Sequence, residues 1–169
     1  MVEYLDLYDQ NRIKTGKIHK RGEPIEYGYY IIVVNVWIVN SENEVLLTQR
    51  HPLRKIWGGL WECSASGAVL SGEDSLQGAL REAEEEIGVI LLPSEAILLE
   101  SIIRKDNFRD TFLFKKDIPI SEIKIQPEEV INVKWVDKQE YNNMCRQELL
   151  APPVKNFWQL YFPLQIAND

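Results

Sequence analysis

The segment Gly67-Ala68-Val69-Leu70-Ser71-Gly72-Glu73-Asp74-Ser75-Leu76-Gln77-Gly78-Ala79-Leu80-Arg81-Glu82-Ala83-Glu84-Glu85-Glu86-Ile87-Gly88-Val89 reads as a glycine-punctuated loop, a helix and a helix stop. At about 100° per residue, Leu76, Ala79, Leu80, Ala83 and Ile87 fall on one side, which predicts that this side faces the core. Asp74 or Ser75 can cap the first turn, and Gly88 can supply the left-handed residue that ends the helix. Glu82, Glu85 and Glu86 stand at i, i+3 and i+4, so they form one carboxylate cluster on a different face. Gly78 lies one turn before Glu82, where its missing side chain leaves room for a ligand or a close-packed loop.

Three carboxylates on one rigid element repel one another unless positive charge sits among them. A hard divalent cation wants such oxygens, and Mg²⁺ combines protein carboxylates with waters and substrate phosphates. The loop from Gly67 to Glu73 can bend back so that a backbone carbonyl near Gly67 adds another oxygen. A bare run of glutamates would be a solvated face; here the flanking residues carry the argument.

Working outward, Glu3 to Tyr8 reads as a strand and Asp9 to Pro24 as a polar hairpin or loop, with Thr15-Gly16 and Arg21-Gly22 as turn signals. Tyr29 to Val39 is dense in β-branched and aromatic residues, which suits a central strand buried on both faces. Asn40 to Asn43 turns the chain into Glu44 to Gln49, and a basic, aromatic connection runs from Arg50 to Trp61. Ala96 to Ile103, Thr111 to Phe114 and Val130 to Val136 read as strands. Lys138 to Leu150 and Pro153 to Tyr161 read as helices, the latter with Pro near its first turn. Strands and helices mix without regular alternation, which predicts an α+β fold with a mixed sheet.

With no repeat or linker to divide it, the chain is expected to form one domain over 1–169, with 1–28 as an N-terminal strand or hairpin extension and 67–89 as its loop-helix-loop. The balance of 19 Lys+Arg against 26 Asp+Glu, a net charge of −7, argues against a nucleic-acid polymer as partner. The start, Met1-Val2-Glu3-Tyr4-Leu5-Asp6, has no signal-peptide pattern, and the most apolar window, Tyr29 to Val39, is too short to span a bilayer. Cys63 and Cys145 lie in no paired spacing, and His19 and His51 are too few for a histidine metal site. Together these favour a reducing, cytoplasmic setting and no membrane. Cys63 is expected to be a buried structural thiol. Trp37, Trp57, Trp61 and Phe108 are candidates for stacking a base or for packing. The apolar run Phe157-Trp158-Gln159-Leu160-Tyr161-Phe162 is expected to pack on its own domain or on a second copy, which leaves a homodimer open.

Gly67, Glu73, Arg81, Glu82, Glu85, Glu86 and Gly88 match every fixed position of the Nudix box, G-x5-E-x7-R-E-U-x-E-E-x-G-U, with Ala83 and Val89 at its aliphatic positions. Seven named residues at average usage coincide with a chance on the order of 10⁻⁸ per start position. The chain thus resembles the Nudix hydrolases, which implies an α/β/α sandwich and cleavage of a nucleoside diphosphate linked to another moiety X, with Mg²⁺ or Mn²⁺. The resemblance makes Glu82, Glu85 and Glu86 metal ligands together with the Gly67 carbonyl. Glu82 and Glu85 are the catalytic candidates, Glu82 being favoured for orienting or deprotonating water. It also makes Glu73, Arg81 and Gly88 structural, with an Arg81–Glu73 ion pair fixing the loop. Glu128 or Glu129, with Glu129 preferred, would be the carboxylate from outside the box.

Thr15-Gly16, Lys20, Arg50, Lys55, Trp57, Gly59 and Trp61 are similar to the branch containing isopentenyl-diphosphate isomerase, so the resemblance covers roughly residues 3 to 137. It implies that Lys20, Arg50 and Lys55 hold a substrate diphosphate, a natural task for Lys and Arg. The isomerase activity itself is not expected. Its catalytic Cys would match Ser66, its metal-binding His would match Ala68, and its acidic Glu-x-Glu would fall at Asn107-Phe108-Arg109. A Nudix domain that only binds a nucleotide or a protein would ordinarily have lost box carboxylates, and this one keeps them.

Overall fold

A computed structural model describes residues 2–166. A two-stranded antiparallel sheet, β1 (Tyr4–Tyr8) with β2 (Lys14–Lys20), stands beside a seven-stranded mixed sheet. That sheet holds β3 (Ile31–Val39), β4 (Val45–Arg50), β5 (Trp61–Glu62), β6 (Ala65–Ala68), β7 (Ile97–Ile103), β8 (Asn107–Lys115) and β9 (Val130–Val136). The helices are α1 (Ser75–Ile87), α2 (Lys138–Arg146) and α3 (Phe157–Ile166). The expected α+β fold with a mixed sheet is the fold observed.

β3 is the axis. It runs parallel to β8 from Ile31↔Asn107 to Val39↔Lys115, while its pairing with β4 is confined to Val39↔Val45. Beyond that hairpin the two strands splay, and the next two strands fill the wedge: β5 pairs with β4, and β6 pairs with β3. Splaying strands leave polar backbone atoms unpaired. Buried Ser64, between β5 and β6, bridges the gap by accepting from Ile38 N (2.9 Å) and donating to Leu46 O (2.7 Å). Gly67 is thereby brought to the end of the wedge.

Alternation along β3 sends Val34, Val36 and Ile38 to one face, where Ala79, Ala83 and Ile87 of α1 cover them, with Leu76 and Leu80 packed at the margin. Trp37 and Val39 face the other way, onto Tyr141 of α2 and Phe157 of α3. The apolar C-terminal run packs on its own sheet: Phe157 stacks on Trp37 with ring centroids 4.3 Å apart, and Trp158 and Tyr161 are buried beside it.

Several bounds differ from the sequence reading. β8 extends four residues upstream of Thr111, because the parallel ladder with β3 carries polar Asn107 and buried Arg109 and Asp110 into the sheet. α2 stops at Arg146, where Glu148 takes a left-handed φ of 57° and Leu149 N returns to Met144 O. Pro152–Val154 form a separate 3-10 turn, so the last helix starts at Phe157 and its proline, Pro163, is internal.

Candidate active site

Asp74, not Ser75, is the cap of α1: its side chain accepts from Gln77 N at 2.8 Å, and Gln77 Oε1 accepts from Asp74 N at 2.8 Å. Gly88 closes the helix at φ 67°. Gly78 is filled by protein, since a Cβ there would lie 2.9 Å from Val69 Cγ2; the close-packed loop, not a ligand, explains its missing side chain. At Gly67 the requirement is sharper: a Cβ would stand 2.0 Å from Glu82 Oε1. The glycine lets the carboxylate lie against the β6 backbone.

Arg81 organises the loop. Its Nε donates to Glu73 Oε1 at 2.8 Å, and its Nη2 donates to Ala68 O at 2.9 Å and Glu73 Oε2 at 3.1 Å. Its Nη1 bridges Glu82 Oε1 at 2.8 Å and Glu85 Oε2 at 2.9 Å. Glu82 and Glu86 are buried, whereas the Glu85 side chain is 53% exposed. Burial pushes the Glu82 carboxyl up to about 7, against the pull of Arg81 and Arg21. Burial, with Glu62 and Glu82 close by, pushes Glu86 well above the usual carboxylate range, although Ser66 N donates to its Oε2 at 3.0 Å.

These carboxylates form one wall of a cleft of about 420 Å³. Among the described residues no three carboxylate, thiol or imidazole groups converge on one point, because Arg81 spans Glu82 and Glu85 while Glu86 turns to Ser66. The donor set nonetheless suits a hard divalent ion: it is all oxygen, and burial disfavours the charged forms of two of its members, which a bound cation would favour.

Basic residues line the same cleft, but not in the predicted register. Lys20 and Lys55 are exposed and neither lines the cleft; Arg21 and Arg54, each one residue away, do. On β2 alternation explains the shift, since His19 turns to the cleft and Lys20 turns to solvent, 3.6 Å from Glu23. Arg21 pairs with Glu3, and Arg54 donates to Glu129 at 2.6 Å. Arg50 does line the cleft, held by a 2.5 Å contact to Glu62 and by donation to Ile56 O at 3.1 Å. Buried Glu62 escaped the sequence reading: it sits on a two-residue strand, and only the β4–β5 pairing faces it toward Ser66 and the cleft.

Of the four aromatic candidates, Trp57 alone lines the cleft, at a left-handed φ of 53°. Trp37 is core, Phe108 packs against Tyr30 and Arg12, and Lys134 lies over Trp61. Cys63 is fully buried, and burial raises its thiol pKa well above normal, so it is an inert structural group.

The family model described as NUDIX domain matches residues 29–157. The chain belongs to the Nudix family. An uncharacterised Nudix hydrolase of Listeria monocytogenes is 35% identical over 139 residues, covering 82% of each chain. Isopentenyl-diphosphate Delta-isomerase 1 of Photorhabdus laumondii is 28% identical over 171 residues, covering 93% of each. A crystal structure from Deinococcus radiodurans superposes with a TM-score of 0.76 at 20% identity, covering 93% of this chain and 98% of that one, and shows the shared fold. With this membership and the intact box, the Nudix chain is a phosphoanhydride hydrolase of a family that works with divalent metal ions. Among the described residues no helix is long and apolar enough to cross a membrane.

Proposed function

We propose that this Nudix domain cleaves the diphosphate linkage of a nucleoside diphosphate joined to a second moiety X, with Mg²⁺ or Mn²⁺, in the cytoplasm. The observation that carries the reading is the shared cleft, lined by the box carboxylates together with Arg21, Arg50 and Arg54. Glu82, Glu85, Glu86 and the Gly67 carbonyl would hold the ion, with Glu129 close by on the cleft wall. An ion held there would supply charge neutralisation of diphosphate oxygens and a lowered pKa for water beside them. Arg81 and Glu73 fix the Glu82 carboxylate against the β6 backbone, from which it orients the attacking water and takes its proton. The water oxygen attacks phosphorus in line, the anhydride P–O bond breaks, and the leaving phosphate departs with the bonding pair. Arg50 and Arg54 balance the phosphate charge. Holding each on a carboxylate limits the side-chain entropy lost on binding.

Isomerisation is the competing reading raised by the Photorhabdus similarity. It lacks its groups: Ser66 stands on the cleft wall, the buried Cys63 thiol is inert, and residues 107–109 present buried Arg109 in place of a carboxylate. The test is phosphorus NMR of the purified chain with Mg²⁺ or Mn²⁺ against nucleoside di- and triphosphates, dinucleoside polyphosphates, nucleotide sugars, ADP-ribose, NADH, coenzyme A and isopentenyl diphosphate. Metal-dependent cleavage that falls about 10²- to 10⁴-fold in Glu82→Gln is expected. Ligand binding without turnover across the panel would turn the reading into that of a binding module.

A further inference from the structure

The cleft continues past the carboxylates. Ala68 of β6 pairs with Val33 of β3, Val33 with Arg109 of β8, and Arg109 with Ile102 of β7, so these residues form one row across the sheet. At a strand spacing near 4.8 Å, the Arg109 backbone lies roughly 10 Å from that of Ala68, and therefore from the Gly67 end. Apolar Val33 separates the two ends, with Pro153 and Val154 also lining the cleft.

Chemistry at the far end differs from that of the basic wall. Arg109 has a side chain only 8% exposed, donates to Glu100 Oε1 at 2.9 Å and to Pro153 O at 3.3 Å, and buries its Nε without a partner. A buried guanidinium with an unmet donor is costly unless the site uses its charge. Arg104 lies in the β7–β8 turn, which its backbone N–H closes onto Asn107 O at 2.7 Å. Exposed Arg104 lines the same cleft, and among the described residues its side chain enters no hydrogen bond or ion pair. Arg21, Arg50 and Arg54, by contrast, are each tied to a carboxylate. Arg104 stands two residues beyond Ile102, the β7 partner of Arg109, so the two arginines are diagonal neighbours, and one fixed with one uncommitted cation suits an oxyanion.

We infer that Arg104 and Arg109 build a second anion subsite, and that the preferred substrate carries, beyond the scissile diphosphate, a second oxyanion on its nucleoside or on moiety X. The inference rests on the proposed function for the position of the diphosphate. Arg104 makes the direct contact, and Arg109, locked on Glu100, supplies the fixed field beneath it. Phosphate and carboxylate share the required chemistry, and matched ligands separate them.

The experiment measures equilibrium binding to the full chain in Ca²⁺ for two pairs. Coenzyme A against 3′-dephospho-coenzyme A tests phosphate, and UDP-glucuronate against UDP-glucose tests carboxylate. Turnover with Mg²⁺ is followed in parallel. The oxyanion-bearing member of at least one pair should bind about tenfold or more tightly, as expected for a charged hydrogen bond. Arg104→Gln should collapse that ratio toward one, and Arg104→Lys should retain part of it. Equal binding within both pairs, or none, overturns the subsite. So does a preference that survives both Arg104→Gln and Arg109→Gln. Cleavage without preference sinks the subsite alone; preference in binding without cleavage leaves it standing and sinks the hydrolytic reading.

Discussion

The carboxylate wall and the basic wall of the cleft are built on opposite plans. On the first, Glu73, Arg81, Glu82 and Glu85 interlock through one guanidinium, and every partner lies within a single loop and helix. On the second, the arginines come from the end of the hairpin, from β4 and from the loop after it, and each is held by a carboxylate distant in sequence, such as Glu3 for Arg21 and Glu129 for Arg54. A site made of local contacts travels as a motif. A site made of long-range pairs exists only once the chain has folded.

If the second plan is right, its pairs should be the more damaging to break. Removing one partner of the buried Arg50–Glu62 pair strands a charge, so Glu62→Gln should cost about 3–5 kcal/mol in urea unfolding. The double variant Arg50→Met with Glu62→Leu should recover much of that. Additive losses would mean that the pair is not a unit.

The first plan depends on close approach. Gly67→Ala places a methyl against the Glu82 carboxylate and should cost about 1–3 kcal/mol, with a fall in kcat, as the side chain is pushed away from the β6 backbone. Retention of both stability and kcat would show that Glu82 has another place to go.

The Arg12–Asp110 pair ties the β1–β2 turn to β8. Burial would raise the Asp110 carboxyl, but hydrogen bonds from Arg12 and Ser101 more than reverse this, so its folded pKa lies below the unfolded value. The native state binds fewer protons than the unfolded one there, so this stability is fully present above about pH 4 and is lost as pH falls through the folded pKa. Arg12→Gln should therefore cost about 1–2 kcal/mol at pH 6 and distinctly less at pH 3, read from urea midpoints. A pH-independent loss would remove Asp110 from the account. The smallest contrast is Arg54→Gln, expected to raise KM by about tenfold or less, against Lys55→Gln, which should leave KM within experimental error.

How far the sequence carried can be traced residue by residue. The core face of α1 and its stop at Gly88 were legible, because each depends on helical periodicity or capping within one segment, and the Arg81–Glu73 pair was what the resemblance implied. Lys20 and Lys55 were placed a residue away from the cleft-lining Arg21 and Arg54, because the side of a strand or loop that faces inward depends on what it packs against. Glu62 and Arg109 gave no local signal. One sits on a strand two residues long, and the other lies upstream of the apolar Thr111 to Phe114 run, in a polar stretch that only the ladder with β3 and an ion pair to Glu100 bring into the sheet.

By itself, then, the sequence determined the box, the helix that carries its glutamates and the mixed fold around them, since helix periodicity, capping and short-range spacing are properties of neighbouring residues. Tertiary structure alone decided the wedge between β3 and β4 that brings Gly67 to the cleft, the arginines that share the cleft with the carboxylates, and the Arg104–Arg109 end beyond them. Those features rest on strand pairing and buried charge partners far apart in the chain, which no local pattern encodes.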